Sequence, residues 1–209
     1  DGDADRLIVV DEKGRIIDGD RVLCICGKYL KDIGKLAEGK ITATVMSNIG
    51  LHKYLEQHGI DVDVTKVGDR YVLESMLQTG SVLGGEQSGH MIFLDYTTTG
   101  DGVLSSLQFM KAYLASGSKL SELRDEIHIY PQALVNAGVD NAYKQAALED
   151  EEVKEFIGKV EAKLEGTGRV LIRPSGTEPL IRVMLEGEDS EEIRGYAEQI
   201  AELIHKKFG

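Results

Sequence analysis

The sequence predicts an α/β domain with a mixed sheet, followed by a smaller α+β domain in which an antiparallel sheet carries two helices. Three observations predict this. Short apolar runs rich in β-branched residues alternate with helical apolar periodicity as far as about residue 125. Past that point the order becomes strand, helix, two strands, helix. The chain has 209 residues, 42% of them hydrophobic, which is enough to bury two modest cores.

Leu7-Ile8-Val9-Val10 reads as a strand. Residues 11–14 then turn the chain at Gly14, and Arg15-Ile16-Ile17 returns as a second strand. Residues 21–30 form a helix with Val22, Cys26 and Tyr29 on one stripe. Residues 41–46 are a strand. Leu51, Tyr54 and Leu55 recur at helical spacing, and Gly59 stands where a left-handed helix terminus belongs. Ile60, Val62 and Val64 alternate with Asp61, Asp63 and Thr65, which predicts a strand with one polar face. Val72, Leu73, Met76 and Leu77 mark a helix stopped by Gly80. Val82-Leu83 and Met91-Ile92-Phe93-Leu94 are strands flanking a Gly-rich turn. Val103, Leu107, Met110 and Leu114 define the apolar face of a long helix. The domain boundary is expected at residues 124–126. Residues 127–139 then read as strand interrupted by Pro131. Val153, Phe156, Ile157, Val160 and Leu164 predict an amphipathic helix ending at Gly166. Residues 169–172 and 179–186 are strands. A last helix starts at Asp189, with Glu192 as its capping-box partner.

Lys+Arg 24 against Asp+Glu 36 gives a net charge of −12. Such a chain repels phosphate backbones and anionic lipid, so neither nucleic acid nor a membrane surface is expected as a partner. No apolar run approaches the roughly 20 residues that span a bilayer. Cys24 and Cys26 lie two apart on a helix and have no Cys/His company for zinc, so they read as buried free thiols of a reducing, cytoplasmic protein. The chain opens at Asp1 without Met and inside a motif, and is therefore expected to be a piece of a longer protein.

Three motifs could carry chemistry. Asp1-Gly2-Asp3-Ala4-Asp5-Arg6 spaces three hard oxygen donors along one tight loop, which suits Mg²⁺. The EF-hand pattern is excluded by Arg6 where that loop needs Gly and by the strand that follows. A solvated acidic segment has the same composition, and the spacing leaves both readings open. Gly84-Gly85-Glu86-Gln87-Ser88-Gly89-His90 gathers side chains that accept and donate to hydroxyls, with His90 able to shuttle a proton. The competing reading is a polar hairpin turn, but few such turns present Glu, Ser and His together. Arg173-Pro174-Ser175-Gly176-Thr177-Glu178-Pro179 joins two strands, with Arg182 just inside the second. Hydroxyls, free amides and Arg forks at one turn make a phosphate cradle in an otherwise acidic chain. The Gly-Lys-Ser/Thr step of a Walker loop is missing. Asp69 and Asp101 each precede a helix and read as N-caps. His52, His58, His128 and His205 lack ligand-like company and read as structural or surface residues.

In this order the three motifs resemble those of the α-D-phosphohexomutase superfamily, and the resemblance covers the whole chain. Within it the sequence looks most like the phosphoglucosamine mutase branch, on the stretches Thr44-Val45-Met46-Ser47-Asn48-Ile49-Gly50-Leu51, Val67-Gly68-Asp69-Arg70-Tyr71-Val72, Thr98-Thr99-Gly100-Asp101-Gly102 and Tyr130-Pro131-Gln132-Ala133-Leu134-Val135-Asn136. The resemblance implies a four-domain isomerase of which residues 1–18 end domain 2, residues 19–125 form the sugar-binding domain 3 and residues 126–209 form the phosphate-binding domain 4. It implies exchange of glucosamine 6-phosphate and glucosamine 1-phosphate through a phosphoserine and a bisphosphorylated sugar. Asp1, Asp3 and Asp5 would hold Mg²⁺, and Arg6 would stabilise the transferring phosphoryl group. Glu86 and Ser88 would grip sugar hydroxyls, with His90 beside them in a catalytic or binding role. Arg173, Ser175, Gly176, Thr177 and Arg182 would hold the other phosphate. The phosphoserine loop has no counterpart here, so the missing N-terminal domains are the implied partner and the chain alone is expected to be inactive. A mutase acting on mannose or glucose phosphates, or a non-catalytic phosphosugar-binding module, are the alternatives.

Overall fold

The computed structural model describes residues 2–209. It separates them into two units, one ending at Ile129 and one running Tyr130–Gly209. Ile127 is buried in the core of the first unit and Ile129 packs against it, so that unit runs past residues 124–126, where the boundary was expected.

The first unit begins with a ribbon of β1 (Val9–Val10) antiparallel to β2 (Ile16–Ile17). Then follow α1 (Gly19–Asp32), a 3₁₀ turn (Ala37–Gly39), β3 (Lys40–Thr44), α2 (Ile49–Gln57), β4 (Asp61–Thr65), α3 (Asp69–Thr79), β5 (Leu83–Gly85), β6 (Met91–Phe93), α4 (Gly102–Ser116) and α5 (Leu120–Glu126). The four-stranded sheet has the order β4-β3-β5-β6. β3 is parallel to both β4 and β5, whereas β6 returns antiparallel to β5. This is the expected mixed sheet. Ile41, Ala43, Leu55, Leu83 and Met91 bury its centre against Leu23 and Cys26 of α1. Cys24 and Cys26 are both buried free thiols, and burial pushes the Cys26 thiol up to about 12.

Helix starts follow side-chain capping. Asp18, Asn48 and Asp101 each accept from a backbone N–H in the first turn of α1, α2 and α4. Gly80 and Gly117 end α3 and α4 in the left-handed conformation. Asp69 departs from its expected role: Gly68 is the N-cap of α3, and Asp69 is the first helical residue.

Two apolar patterns meet solvent rather than core. Val64 lies on the edge strand β4 and is 52% exposed. Val103, Leu107, Met110 and Leu114, expected to face the interior, are between 44% and 71% exposed. The buried face of α4 is Ser105, Gln108, Phe109 and Ala112. α4 packs against α1, and the face it buries includes small side chains at positions 105 and 112 rather than the more hydrophobic stripe.

The second unit comprises β7 (Gln132–Gly138), α6 (Lys144–Glu149), α7 (Glu151–Lys163), β8 (Arg169–Pro174), β9 (Leu180–Glu186) and α8 (Ser190–Phe208). Its antiparallel sheet has the order β7-β9-β8. Ile181, Val183 and Leu185 point from β9 into a core completed by Val153, Val160, Ile193, Ala197, Ile200 and Ile204. The sheet is as expected, and α6 is a third, short helix that the pattern did not disclose. Asp189 caps α8 through the N–H groups of Glu191 and Glu192. The reciprocal half of the box is absent, because the Glu192 carboxylate accepts from the Tyr196 hydroxyl instead. No helix among the described residues is long and apolar enough to cross a membrane.

Candidate functional site

In the first unit, backbone hydrogen bonds draw four distant segments to one place. The loop at residues 86–90 closes on itself, with Glu86 N–H donating to the His90 carbonyl at 2.9 Å and Gly89 N–H donating to Glu86 at 3.0 Å. Leu7 N–H donates to Gly89 at 2.9 Å, and Arg6 and His90 form an isolated antiparallel bridge. Gly19 N–H donates to Gln87 at 3.0 Å, and Gly102 N–H donates to Ala4 at 2.9 Å. The approaches are too close for a side chain. A Cβ on Gly19 would overlap the Glu86 carbonyl oxygen, and one on Gly102 would meet the Arg6 carbonyl oxygen.

An open cleft of about 330 Å³ results, lined by Arg6, Thr44, Met46, Val67, Glu86, Gln87 and Ser88. Arg6 and the polar loop are therefore neighbours although 80 residues separate them in sequence. Glu86 Oε1 accepts from the Gly68 N–H at 2.9 Å, which fixes the carboxylate at the mouth of α3 and leaves Oε2 for a ligand. Ser88 is exposed. Gln87 donates to Asp20 Oδ2 at 3.2 Å, and the same oxygen accepts from Asn48 N–H at 2.8 Å. Asp20 is fully buried and so ties the loop to the first turns of α1 and α2.

His90 is placed differently from Glu86 and Ser88. It is 4% exposed and does not line the cleft. Its Nε2 lies 3.7 Å from Asp5 Oδ2, and Gly100 packs so tightly on the ring that no side chain fits there. The geometry puts His90 behind Asp5 rather than against a substrate in the cleft.

Asp3 is exposed, and Asp5 is partly buried with an Oδ1 that has no hydrogen-bond partner. Arg6 Nε stands 3.9 Å from that oxygen. A desolvated carboxylate oxygen without a donor is an atom that a hard divalent cation would satisfy. Asp1, the remaining expected ligand, lies outside the described residues. Among the described residues no group of three Asp, Glu, His or Cys side chains converges on one point. A larger groove of about 420 Å³, walled by Tyr29, Tyr54 and Leu123, contains none of the motif residues.

In the second unit the candidate loop is local. β8 and β9 are paired from Pro174↔Ile181 onwards, and residues 175–179 connect them. Arg173 and Arg182 face each other across the ladder, so both side chains leave the same face with Cβ atoms about 5 Å apart. Directly opposed like charges are unfavourable unless something negative intervenes. Glu178 takes Arg182 at 2.9 Å, whereas the Arg173 guanidinium has no hydrogen bond or ion pair among the described residues. Among the described residues, the N–H groups of Gly176 and Thr177 have no acceptor. Ser175 is 7% exposed, and its Oγ accepts from the Glu178 N–H at 3.2 Å. One free guanidinium and two free amides at one turn are an anion-binding arrangement.

Sequence reasoning missed Asp20, the Gly68 amide and Lys144. Lys144 is 8% exposed and donates from Nζ to the carbonyls of Ser175 at 2.6 Å and Glu178 at 2.5 Å. Only the helix-opening position of Asp20 left a local trace. Lys144 is 31 residues from Ser175 and left none.

A four-stranded mixed sheet with helices, followed by a three-stranded antiparallel sheet with helices, is the architecture of the phosphohexomutase domains III and IV. Residues 18–130 match the phosphoglucomutase/phosphomannomutase alpha/beta/alpha domain III, and residues 134–203 match the C-terminal domain of the same family. The chain belongs to that family. It is 56% identical over 208 residues to phosphoglucosamine mutase of Caldanaerobacter subterraneus subsp. tengcongensis, and 54% identical over 209 residues to that of Geobacillus kaustophilus. Each alignment takes in 100% of this chain and 46% of the relative, so the chain spans about half the length of the curated relatives it matches. Among solved structures, Aspergillus fumigatus N-acetylphosphoglucosamine mutase in complex with GlcNAc-6P and magnesium shares the fold. Its TM-score is 0.78 at 20% identity, over 100% of this chain and 48% of that one.

Proposed function

We propose that the chain is the C-terminal part of a cytoplasmic phosphoglucosamine mutase, which interconverts glucosamine 6-phosphate and glucosamine 1-phosphate. The observation that carries the proposal is the cleft that seats Arg6 beside Glu86 and Ser88, in a chain more than half identical to phosphoglucosamine mutases. Residues 1–18 are assigned to the end of the preceding domain, the stretch after them to the sugar-handling domain and the remainder to the phosphate-anchoring domain.

In this reading a phosphoserine contributed by the other half of the enzyme gives its phosphoryl group to the free hydroxyl of the sugar phosphate. The hydroxyl loses its proton as its oxygen bonds phosphorus, and the serine oxygen leaves. The reverse transfer from the sugar's other oxygen restores the phosphoserine. Arg6 bears on the transferring group, because its guanidinium is half exposed in the cleft and can follow charge spread over phosphoryl oxygens. The free Oε2 of Glu86 and the Ser88 hydroxyl hold sugar hydroxyls, and the preset Glu86–Gly68 bond lowers the ordering cost of doing so. Asp3 and Asp5, with Asp1, would hold Mg²⁺, which would supply neutralisation of phosphoryl charge. Arg173 and the Gly176 and Thr177 amides hold the phosphate that stays on the sugar. Ser175 supports that turn from within, and Arg182 contributes charge through its shared pair with Glu178.

The test is to join this chain behind the N-terminal half of the Geobacillus kaustophilus relative and assay formation of glucosamine 1-phosphate. The fusion is expected to turn over, and the present chain alone is expected to give background. Arg6→Ala in the fusion should lower kcat by on the order of 10²-fold or more, as loss of a preorganised charge donor does. A fusion that converts glucose or mannose phosphates faster than glucosamine phosphate would assign the chain to the sister mutases. A correctly folded fusion that binds sugar phosphate without turnover would leave only a binding module.

A further inference from the structure

We propose that Lys144 is a positioning residue that holds residues 175–178 in their anion-binding shape; this rests on reading that loop as the phosphate cradle. Lysine is rarely buried unless paired. Lys144 is buried and makes no ion pair among the described residues, and its ammonium ends on two backbone carbonyls, those of Ser175 and Glu178. These carbonyls stand on either side of the exposed Gly176-Thr177 tip. One buried cation thus pins both feet of the loop.

The peptide plane turns that pin into a direction. The Ser175 carbonyl and the Gly176 N–H belong to one planar trans unit and point opposite ways. Drawing the carbonyl inward onto Lys144 Nζ therefore aims the Gly176 N–H outward, where no acceptor among the described residues meets it. A carbonyl bonded to a cation also polarises its own peptide and makes the N–H a stronger donor. The Ser175 Oγ bond to Glu178 N–H and the Ser175 N–H bond to Leu180 close the turn but do not set the orientation of that peptide. Among the described residues, Lys144 is the side chain that bonds to that peptide's carbonyl. Its charge is met by two carbonyl dipoles and, among the described residues, by no carboxylate at ion-pair distance, so a positive charge stands behind the amides that would receive an anion. Lys144 never touches the anion, and its effect is transmitted through the Ser175–Gly176 peptide.

The experiment uses the 209-residue chain and inorganic phosphate, with backbone amide shifts reporting affinity and amide relaxation reporting order at residues 175–178. Amides of α8 monitor folding. Lys144→Met should weaken phosphate binding about tenfold or more and mobilise the loop while α8 is unchanged. Lys144→Arg, which keeps the charge and two donors, should recover most of both. If Lys144→Met unfolds the unit, Lys144→Gln, with one donor and no charge, is judged by the same criteria. Phosphate affinity within twofold of native and an unchanged loop in a folded variant would overturn the proposal. If the native chain binds no phosphate, the cradle reading fails first. Relaxation then decides: a loop as ordered in the variant as in the native chain overturns the clamp, and a mobilised one upholds it.

Discussion

The two candidate loops are built by opposite means. The loop at residues 86–90 is held by segments far away in the chain, through backbone bonds to Leu7 and Gly19 and a side-chain bond to Asp20. The loop at residues 175–178 closes between adjacent strands of one hairpin and borrows a single distant residue, Lys144. A loop assembled at long range depends on exact backbone approach and so on glycine. A hairpin loop gets its shape from the register beside it and tolerates change at its tip.

Glycine substitutions should show this contrast most strongly. Gly19→Ala drives a methyl group into the Glu86 and Gln87 carbonyls, and backbone there cannot swing aside as a flexible side chain could. It is expected to cost roughly 3 kcal/mol in urea unfolding, the upper range for overpacking. Gly176→Ala meets no atom within 4 Å and should stay within about 0.5 kcal/mol. Equal losses in the two variants would break the comparison.

Phosphate affinity should separate the loops next. Arg173→Ala removes the one guanidinium of the hairpin that no acidic group occupies. A charge-assisted hydrogen bond is worth roughly 1.5–3 kcal/mol, so binding should weaken about tenfold to a hundredfold in an amide-shift titration. Glu86→Ala should leave that titration unchanged and, in a full-length fusion, lower kcat/KM for the sugar phosphate. If Glu86→Ala removes phosphate binding as fully as Arg173→Ala does, the loops are not separate functional parts.

The same difference explains what could be read from sequence. The hairpin loop was legible nearly whole, because Arg173, Ser175, Gly176 and Thr177 are contiguous and Arg182 falls opposite Arg173 by strand register alone. The long-range loop was legible as a motif but not as a site. Nothing in residues 84–90 announces that Gly68 will bind Glu86, or that His90 will be buried behind Asp5. Strands and helices of both units followed from periodicity. The short α5 and α6 did not, being seven and six residues long, too short for a helical stripe to repeat.

Acid should loosen the long-range assembly through Asp11. Burial, the largest single influence on this carboxyl, raises its pKa. That influence is outweighed by the N–H groups of Arg15 and Lys13 and by the Arg15 guanidinium, so the pKa ends below the ordinary 3.8. A depressed carboxyl contributes stability that is fully present above its unfolded pKa and is lost as pH falls through the folded one. Urea midpoints should therefore hold above about pH 4, then decline below it, and Asp11→Asn should flatten that decline. A native decline no different from that of Asp11→Asn would show that the ribbon carrying the Asp3–Arg6 loop is anchored elsewhere.

The smallest expected effect concerns two helices with the same sequence signal. α4 and α8 both carry apolar residues at helical spacing, but Ile200 of α8 is fully buried while Leu107 of α4 is 58% exposed. Periodicity shows that a stripe exists and does not show which stripe a neighbour will choose. α4 packs on α1 with Ser105, Phe109 and Ala112 buried, and that leaves the larger stripe of Val103, Leu107, Met110 and Leu114 outside. Leu107→Gln should then change stability by no more than about 0.5 kcal/mol, since glutamine matches leucine as a helix former and no packing is lost. Ile200→Ala supplies the scale, at about 2–5 kcal/mol for truncating a buried isoleucine. A loss at Leu107 approaching that of Ile200, in urea unfolding of the same chain, would mean that the exposed stripe of α4 is covered in solution. The hydrophobic pattern would then have given its orientation correctly.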